Sequence, residues 1–205
     1  MKQRIIGPEA MPKLGMAPIR RRQLIDAAIM AIHDHGLADT TVSKIAARAG
    51  VSAGIVHHYF RDKDDLLFET MRFLLEDLRR TVVERLGQAR TPVERVHAII
   101  DSCLADEQFA PEVMAAWLAL YGQAKHSPRL LRILSIYARR LRSDLANALK
   151  PVIGPERVKA AAEGTVAMID GLWLQYALHG GPDDPEFPRR LTRAYVDSQI
   201  ALGRA

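Results

Sequence analysis

The sequence predicts an all-α protein, because apolar residues recur at helical spacing along most of the chain and no segment alternates with the period of two that is typical of a strand. Glycine and proline residues divide this pattern into separate helices. The predicted helices cover residues 18–35, 42–49, 52–60, 63–88, 93–108, 112–124, 129–149, 156–179 and 186–202.

The ends of the first four helices follow from local residue types. Gly36 can end the first helix in a left-handed conformation. Thr40 or Thr41 can cap the second helix, Ser52 the third and Asp62 the fourth, since their side chains accept hydrogen bonds from free backbone N–H groups. The fourth helix is long enough, at about 1.5 Å per residue, to connect the first third of the chain to the rest.

Composition excludes several protein classes. Apolar residues make up 48% and charged residues 26%, as in a soluble globular protein. The single cysteine, Cys103, excludes an internal disulfide framework and a cysteine-rich zinc site. No run is apolar enough to span a membrane, and the first ten residues lack the apolar centre of a signal peptide. We therefore expect a cytoplasmic protein with no membrane contact and no metal or cofactor.

The positive charge lies in the first third of the chain. Residues 1–63 hold ten Lys or Arg and five Asp or Glu, whereas residues 64–205 hold nineteen of each kind. The net charge of +5 therefore belongs to one end. A basic module on a neutral body suits a polyanion such as DNA, although a solvated basic tail would give the same counts.

Residues 42–60 form the most informative segment, which the pattern divides into two short helices joined at Gly50. Ile45 and Val56 supply apolar contacts, and Ala46 is small where the helices cross. These features fit a helix-turn-helix, whose second helix enters the DNA major groove. An ordinary helical hairpin is the alternative, and the basic charge of this region favours DNA binding.

In this interpretation residues 52–59 face the DNA. Small and apolar residues let the backbone approach the bases, histidines hydrogen-bond bases or phosphates, and hydroxyl groups suit phosphate oxygens. Basic residues that open the first and fourth helices contact the flanking backbone. The predicted DNA-binding residues are Arg20, Arg21, Arg22, Thr41, Ser52, Ala53, Gly54, Ile55, His57, His58, Tyr59 and Lys63.

Residues 57–67, His-His-Tyr-Phe-Arg-Asp-Lys-Asp-Asp-Leu-Leu, extend this motif into the long helix. With them the chain resembles the TetR family of bacterial repressors. Further segments resemble the choline-responsive branch of that family. They are residues 11–26, 107–118, 137–143 and 169–174.

The resemblance implies a TetR-like architecture: an N-terminal tail (1–16), a helix-turn-helix DNA-binding domain (17–62), and an effector-binding and dimerisation domain (63–205). It also implies a homodimer that binds double-stranded operator DNA and represses the genes that convert choline to glycine betaine, with choline as effector. Residues 1–10 precede the expected start and receive no function.

Aromatic residues in the body suggest how a quaternary ammonium could be held, since such a cation is best bound by aromatic faces and a carboxylate. Trp117 and Tyr121 lie four apart, and Trp173 follows Asp170 by one turn. We expect a box of Trp117, Tyr121 and Trp173 closed by either Asp170 or Asp101. Tyr176 and Phe109 are further candidates, with Tyr137 on a neighbouring element. The competing explanation is that these aromatics are core residues, and Asp170 could instead lie at the dimer interface.

The last two helices are the expected dimer interface. Small residues there permit close approach and larger ones supply apolar area, although burial within one monomer is the alternative. The residues concerned are Gly164, Ala167, Gly171, Leu172, Leu191 and Tyr195.

Three other functions remain open. An enzyme would need a paired metal motif, a phosphate loop or a nucleophile elbow, and the sequence has none of them. A protein that coats DNA without regulation would need basic charge along its whole surface. A related repressor of drug-like lipophilic cations would share the DNA-binding region and differ only in the body.

Overall fold

The computed structural model describes residues 15–203 and confirms the all-α prediction for that part of the chain. The predicted tail falls almost wholly outside the described residues. The helices are α1 (Met16–Asp39), α2 (Val42–Arg48), α3 (Ala53–Tyr59), α4 (Lys63–Gln88), α5 (Pro92–Cys103), α6 (Pro111–Ala124), α7 (Pro128–Leu149), α8 (Pro155–His179) and α9 (Phe187–Leu202).

Two of the predicted caps are present. The Thr41 hydroxyl accepts a hydrogen bond from the backbone N–H of Lys44 at 3.2 Å, and the Asp62 carboxylate accepts one from Asp65 at 2.7 Å. The cap predicted at Ser52 is absent, because its side chain makes no such bond although its backbone is extended. The start of α3 therefore has no side-chain cap.

Glycine permits both turns of the N-terminal region. Gly36 has φ +71° and interrupts α1 near its end, as the sequence predicts, but the helix resumes as far as Asp39. Gly50 has φ +65°, and after it Val51 donates a hydrogen bond back to the carbonyl of Ala46 at 2.9 Å. This turn sets the angle between α2 and α3.

The fifth helix is shorter than predicted. It ends at Cys103, and a separate 3₁₀ turn, Asp106–Phe109, follows. Leu104 leaves the helical conformation and Ala105 is extended, with no glycine or proline to mark the break. The turn brings Gln108 and Phe109, both buried, against the body.

The core continues from the N-terminal bundle into the body. Ile45, Val56 and Phe60 are almost fully buried together with the inner face of α1. Helix α4 runs from this bundle into the body, and α6 packs against α1. In the body α7 packs against α4, α5, α6 and α8, and α9 packs against α5 and α8. No helix within residues 15–203 is long and apolar enough to cross a membrane.

Candidate nucleic-acid interface and ligand cavity

The outer face of α3 and the residue before it is open to solvent. Ser52, Gly54, Ile55, His57 and His58 are all exposed. The predicted base-facing residues Ala53 and Tyr59 are half-buried instead, because they pack against the core. The exposed set lies on one short helix held by a buried Val56, so its backbone position is fixed from behind.

Gly54 and Ile55 give this face its shape. A Cβ at Gly54 would meet only the Ser52 hydroxyl oxygen, at 3.7 Å, so the fold itself does not require glycine there. Ile55 is 39% exposed although it is apolar. An apolar side chain beside an uncovered stretch of backbone suits close approach to a groove lined with thymine methyl groups.

The three arginines at the start of α1 differ in their partners. Arg20 bonds Gln23 at 2.9 Å and has no acidic partner among the described residues. Arg21 pairs with Glu69 at 3.0 Å, and Arg22 pairs with Asp26 at 2.8 Å. Of these three arginines, Arg20 could therefore bind an external phosphate without breaking an ion pair, whereas Arg21 and Arg22 would each have to leave a carboxylate.

Lys63 also has an internal partner. Its ammonium group donates a hydrogen bond to the carbonyl of Leu37 at 2.9 Å, which ties the start of α4 to the end of α1. The Thr41 hydroxyl oxygen is likewise used as a helix cap. For both residues a structural role is present beside the predicted contact with phosphate.

A cavity of about 320 Å³ lies in the body between α4, α5, α6, α7 and α8. Its walls include four aromatic side chains and one carboxylate. They belong to Trp117, Tyr121, Tyr137, Trp173 and Asp170. Three of the four aromatics and the carboxylate are residues that the sequence predicts for the box.

The aromatic rings are arranged as two adjoining walls. Trp117 and Tyr121 stack with ring centroids 5.4 Å apart, and Tyr121 meets Trp173 edge to face at 6.0 Å. The Trp173 indole N–H donates a hydrogen bond to the backbone carbonyl of Gln108 at 3.0 Å, which fixes the ring. The faces are thus oriented before any ligand enters.

Electrostatics leave one anionic group in this cavity. Burial raises the pKa of the Cys103 thiol to about 12 and holds the pKa of the Tyr121 and Tyr137 phenols above their ordinary values. All three are neutral at pH 7. Asp170 lines the cavity although it is partly open to solvent. Partial burial raises the pKa of this carboxyl, and the charge of nearby Arg142 partly opposes the rise. Asp170 has no ion-pair partner within residues 15–203.

The other predicted box residues lie elsewhere. Asp101 forms a two-bond ion pair with Arg193 of α9, because it points about 200° around α5 from Cys103, which lines the cavity. Phe109 and Tyr176 pack edge to face on each other at 5.9 Å and are not part of the cavity wall. Of the two carboxylates left open by the sequence, Asp170 is the one at the cavity.

Sequence reasoning named Tyr137 on a neighbouring element without placing it in the box, and it missed Gln108. Tyr137 belongs to the inward face of α7 with Leu134 and Leu141, so its helical spacing was an available signal. Gln108 lies in the 3₁₀ turn, where no helical period applies, and nothing in the sequence marked it. No group of three or more His, Cys, Asp or Glu side chains in the described part of the chain could hold a metal ion.

Part of the outer surface of α8 and α9 is apolar. Leu174, Leu178 and Phe187 are 45%, 63% and 44% exposed, and Leu191 is exposed beside them. The expectation for Gly164 needs correction, because a Cβ there would clash with the Tyr195 hydroxyl of the same chain. Gly164 and Tyr195 therefore pack within the monomer, whereas the space around Gly171 is open.

Comparison with known families accounts for both parts of the molecule. Residues 24–70 match the family model described as bacterial regulatory proteins, tetR family. Residues 92–201 match the model described as BetI-type transcriptional repressor, C-terminal. The chain belongs to the TetR family, in its BetI-type branch. It is a transcriptional regulator and not an enzyme.

Individual relatives extend over nearly the whole chain. The HTH-type transcriptional regulator BetI of Brucella melitensis is 47% identical over 192 residues, which cover 94% of this chain and 95% of that protein. The BetI regulator of Agrobacterium fabrum is 45% identical and covers 93% of this chain and 92% of its own. Such identity makes this chain similar to BetI in both the DNA-binding region and the body.

A solved structure shares the fold. A transcriptional regulator from Saccharomonospora viridis, crystallised in complex with choline, superposes with a TM-score of 0.76 at 19% identity. The match covers 88% of this chain and 96% of that one.

Proposed function

We propose that this BetI-type regulator binds operator DNA as a homodimer and represses genes for the conversion of choline to glycine betaine, with choline as its effector. The observation that supports choline most directly is the cavity wall of four aromatic residues and one unpaired carboxylate. The BetI names of the relatives and the choline-bound structural neighbour agree with it.

The cavity chemistry suits a permanent organic cation. A quaternary ammonium has no N–H to donate, so it depends on aromatic faces, each contributing roughly 0.5–2 kcal/mol, and on a nearby negative charge. Trp117, Tyr121 and Trp173 supply the faces, and Asp170 supplies the charge.

DNA binding is supported by the exposed face of α3 and by the helix-turn-helix that presents it. In a dimer, two such faces must reach successive major grooves, about 34–36 Å apart. The apolar surface of α8 and α9, with Leu174, Leu178 and Phe187, offers the area for a two-fold contact.

Two helices connect the cavity to the DNA-binding region. Leu78 of α4 lines the cavity. Lys63, at the start of the same helix and about 22 Å from Leu78 along the axis, donates its hydrogen bond to Leu37 at the end of α1. Trp117 and Tyr121 belong to α6, which packs against α1. A ligand that binds one arrangement of these helices more tightly shifts the equilibrium toward that arrangement, and with it the spacing of the two DNA-binding regions. The shift is set by the difference in affinity for the two arrangements, typically about 1–3 kcal/mol.

Calorimetry tests the effector. Choline, betaine aldehyde, glycine betaine and a bulky lipophilic cation are titrated into the protein. We expect choline to bind more tightly than glycine betaine, because the carboxylate of glycine betaine would face Asp170. Binding of the bulky cation alone would reject the choline assignment and favour a drug-sensing repressor.

A pair of variants tests whether the aromatic wall holds the effector. Tyr121→Leu removes a wall residue that is 43% exposed and so only partly buried, and it should weaken choline binding while preserving the fold. Tyr176→Leu removes an aromatic residue of α8 that does not line the cavity, and it serves as the matched control. Equal effects of the two variants on choline affinity would contradict the proposed box.

An operator assay tests regulation. Binding is measured to the DNA upstream of choline-oxidation genes and to a scrambled duplex, with and without choline. We expect a specificity ratio of roughly 10³ or more and a change in operator affinity on adding choline. A ratio near one would favour a protein that coats DNA without regulating it.

A further inference from the structure

We propose that Gln108 recognises the hydroxyl end of the effector, so that the cavity selects a quaternary ammonium alcohol over the same cation without a hydroxyl. This inference rests on the proposed function, since it assigns the polar end of the ligand whose cationic end the aromatic wall holds.

Gln108 is a largely buried residue whose side chain lines the cavity. It is 8% exposed. Its side-chain amide forms no hydrogen bond with any described residue, and the hydrogen bonds of Gln108 to Ala105 and Trp173 are made by its backbone. Buried polar groups in native proteins nearly always have a partner, so an unpartnered amide at a cavity wall is a binding group for whatever fills that cavity.

The backbone of Gln108 is fixed. Its N–H donates to the carbonyl of Ala105 at 2.9 Å, and its carbonyl accepts from the Trp173 indole at 3.0 Å. Arg189 of α9 holds the turn from outside, bonding the Leu104 carbonyl and pairing with Asp106 at 3.0 Å. The hydrogen bond from the Trp173 indole to the Gln108 carbonyl therefore positions both the aromatic ring that faces the cation and the residue that carries the amide.

The amide is chemically suited to an alcohol. It both donates and accepts, as a hydroxyl does, and it carries no charge. The carboxylate in the same cavity, Asp170, complements the cationic end and repels a second carboxylate. Together the two side chains divide the recognition: Asp170 responds to the ligand's net charge, and Gln108 responds to its hydroxyl group.

The experiment compares choline with ethyltrimethylammonium, which has the same cation and carbon chain but lacks the hydroxyl. Calorimetry on the wild-type protein should give choline an advantage of about tenfold, the size of one well-made hydrogen bond that would otherwise leave a buried amide unpaired. Gln108→Leu should abolish that advantage by weakening choline binding while leaving ethyltrimethylammonium unchanged or improved. Gln88→Leu, the same change on the exposed end of α4, should keep the wild-type ratio.

Gln108→Met is a second variant, of similar side-chain length, for use if the leucine variant fails to fold. The ratio of choline to ethyltrimethylammonium affinity in the wild-type protein can be measured without any variant. Equal wild-type affinity for the two ligands, or an equal loss for both in Gln108→Leu, would overturn the role of Gln108 while leaving choline as effector. Failure of the wild-type protein to bind either ligand would overturn the proposed function, and this inference with it.

Discussion

The guanidinium of Arg21 lies 3.0 Å from the buried carboxylate of Glu69, so α1 and α4 are joined by an ion pair behind the DNA-binding face. The same guanidinium donates a hydrogen bond to the carbonyl of Tyr59 at the end of α3, at 3.1 Å. Arg72 also reaches Glu69, at 2.8 Å. Glu69 therefore holds, through Arg21, the end of the helix proposed to enter the DNA groove.

Glu69→Gln should lower the free energy of unfolding by about 1–3 kcal/mol, because three arginines, Arg21, Arg72 and Arg129, lose the charge of a buried partner. It should also weaken operator binding, since the Arg21 contact to Tyr59 loses its support. Chemical denaturation and an operator titration measure the two effects. The control is Glu76→Gln, whose carboxylate is exposed and lies 3.7 Å from Arg72. If the two variants have the same stability and operator affinity, Glu69 has no such role.

Gly54→Ala should separate DNA contact from folding. The added methyl group would meet only the Ser52 hydroxyl oxygen, at 3.7 Å, and alanine favours a helix over glycine by about 0.5–1 kcal/mol, so the variant should be as stable as the wild type or more so. If the backbone of α3 approaches DNA, the methyl group should nevertheless reduce operator affinity several-fold.

Gly87→Ala, on the exposed end of α4, is the control for this variant, because nothing lies within 4 Å of its added Cβ. It should leave operator affinity unchanged. Unaltered operator binding by Gly54→Ala would mean that α3 does not come close to DNA at this position.

The sequence predicts most of the helices because apolar residues recur at helical spacing and glycine or proline marks many of the ends. The end of α5 at Cys103 has neither residue, and its predicted boundary is wrong. The sequence predicts three cavity residues, Trp117, Tyr121 and Trp173, because aromatics on helical spacing are visible without tertiary structure. It could not separate Asp170 from Asp101, since the direction in which α5 faces depends on its packing against α9. The sequence could not predict that Gln108 is buried, because it lies in a 3₁₀ turn, where apolar residues follow no helical spacing.

Asp65 should make the stability acid-sensitive. Hydrogen bonds from Arg129 and Arg61 lower its pKa from 3.8 to about 2. A carboxyl with a lower pKa in the folded state stabilises the protein above the unfolded pKa and loses that contribution as the pH falls through the folded value. The contribution is about 1 kcal/mol once solvent screening of the exposed Arg129 is allowed for.

Asp65→Asn should therefore have a free energy of unfolding about 1 kcal/mol below that of the wild type at pH 7, and this difference should shrink between about pH 4 and pH 2. Denaturant titrations across this range measure it. Asp64→Asn, beside it and exposed, should show a much smaller difference. A constant gap between Asp65→Asn and wild type at every pH would exclude the ion pair as its cause.

Choline affinity should depend on the charge of Asp170. The apolar surroundings raise the pKa of this carboxyl above 3.8, so protonation begins at a higher pH than for an ordinary aspartate. The charged form attracts the cation, so choline affinity should fall as the pH is lowered through the raised pKa of Asp170. Bound choline stabilises the carboxylate and lowers its pKa, so the protein should release protons on binding near that pKa.

Asp170→Asn tests this argument because it keeps the shape of the side chain and removes the charge. It should bind choline roughly five- to tenfold more weakly at pH 7.5, and its affinity should no longer vary with pH. It should also discriminate less against glycine betaine, whose carboxylate no longer meets a like charge. Asp183→Asn, on the exposed segment before α9, should retain the wild-type profile. If choline binding by Asp170→Asn kept the wild-type pH dependence, that dependence would arise from another titratable group.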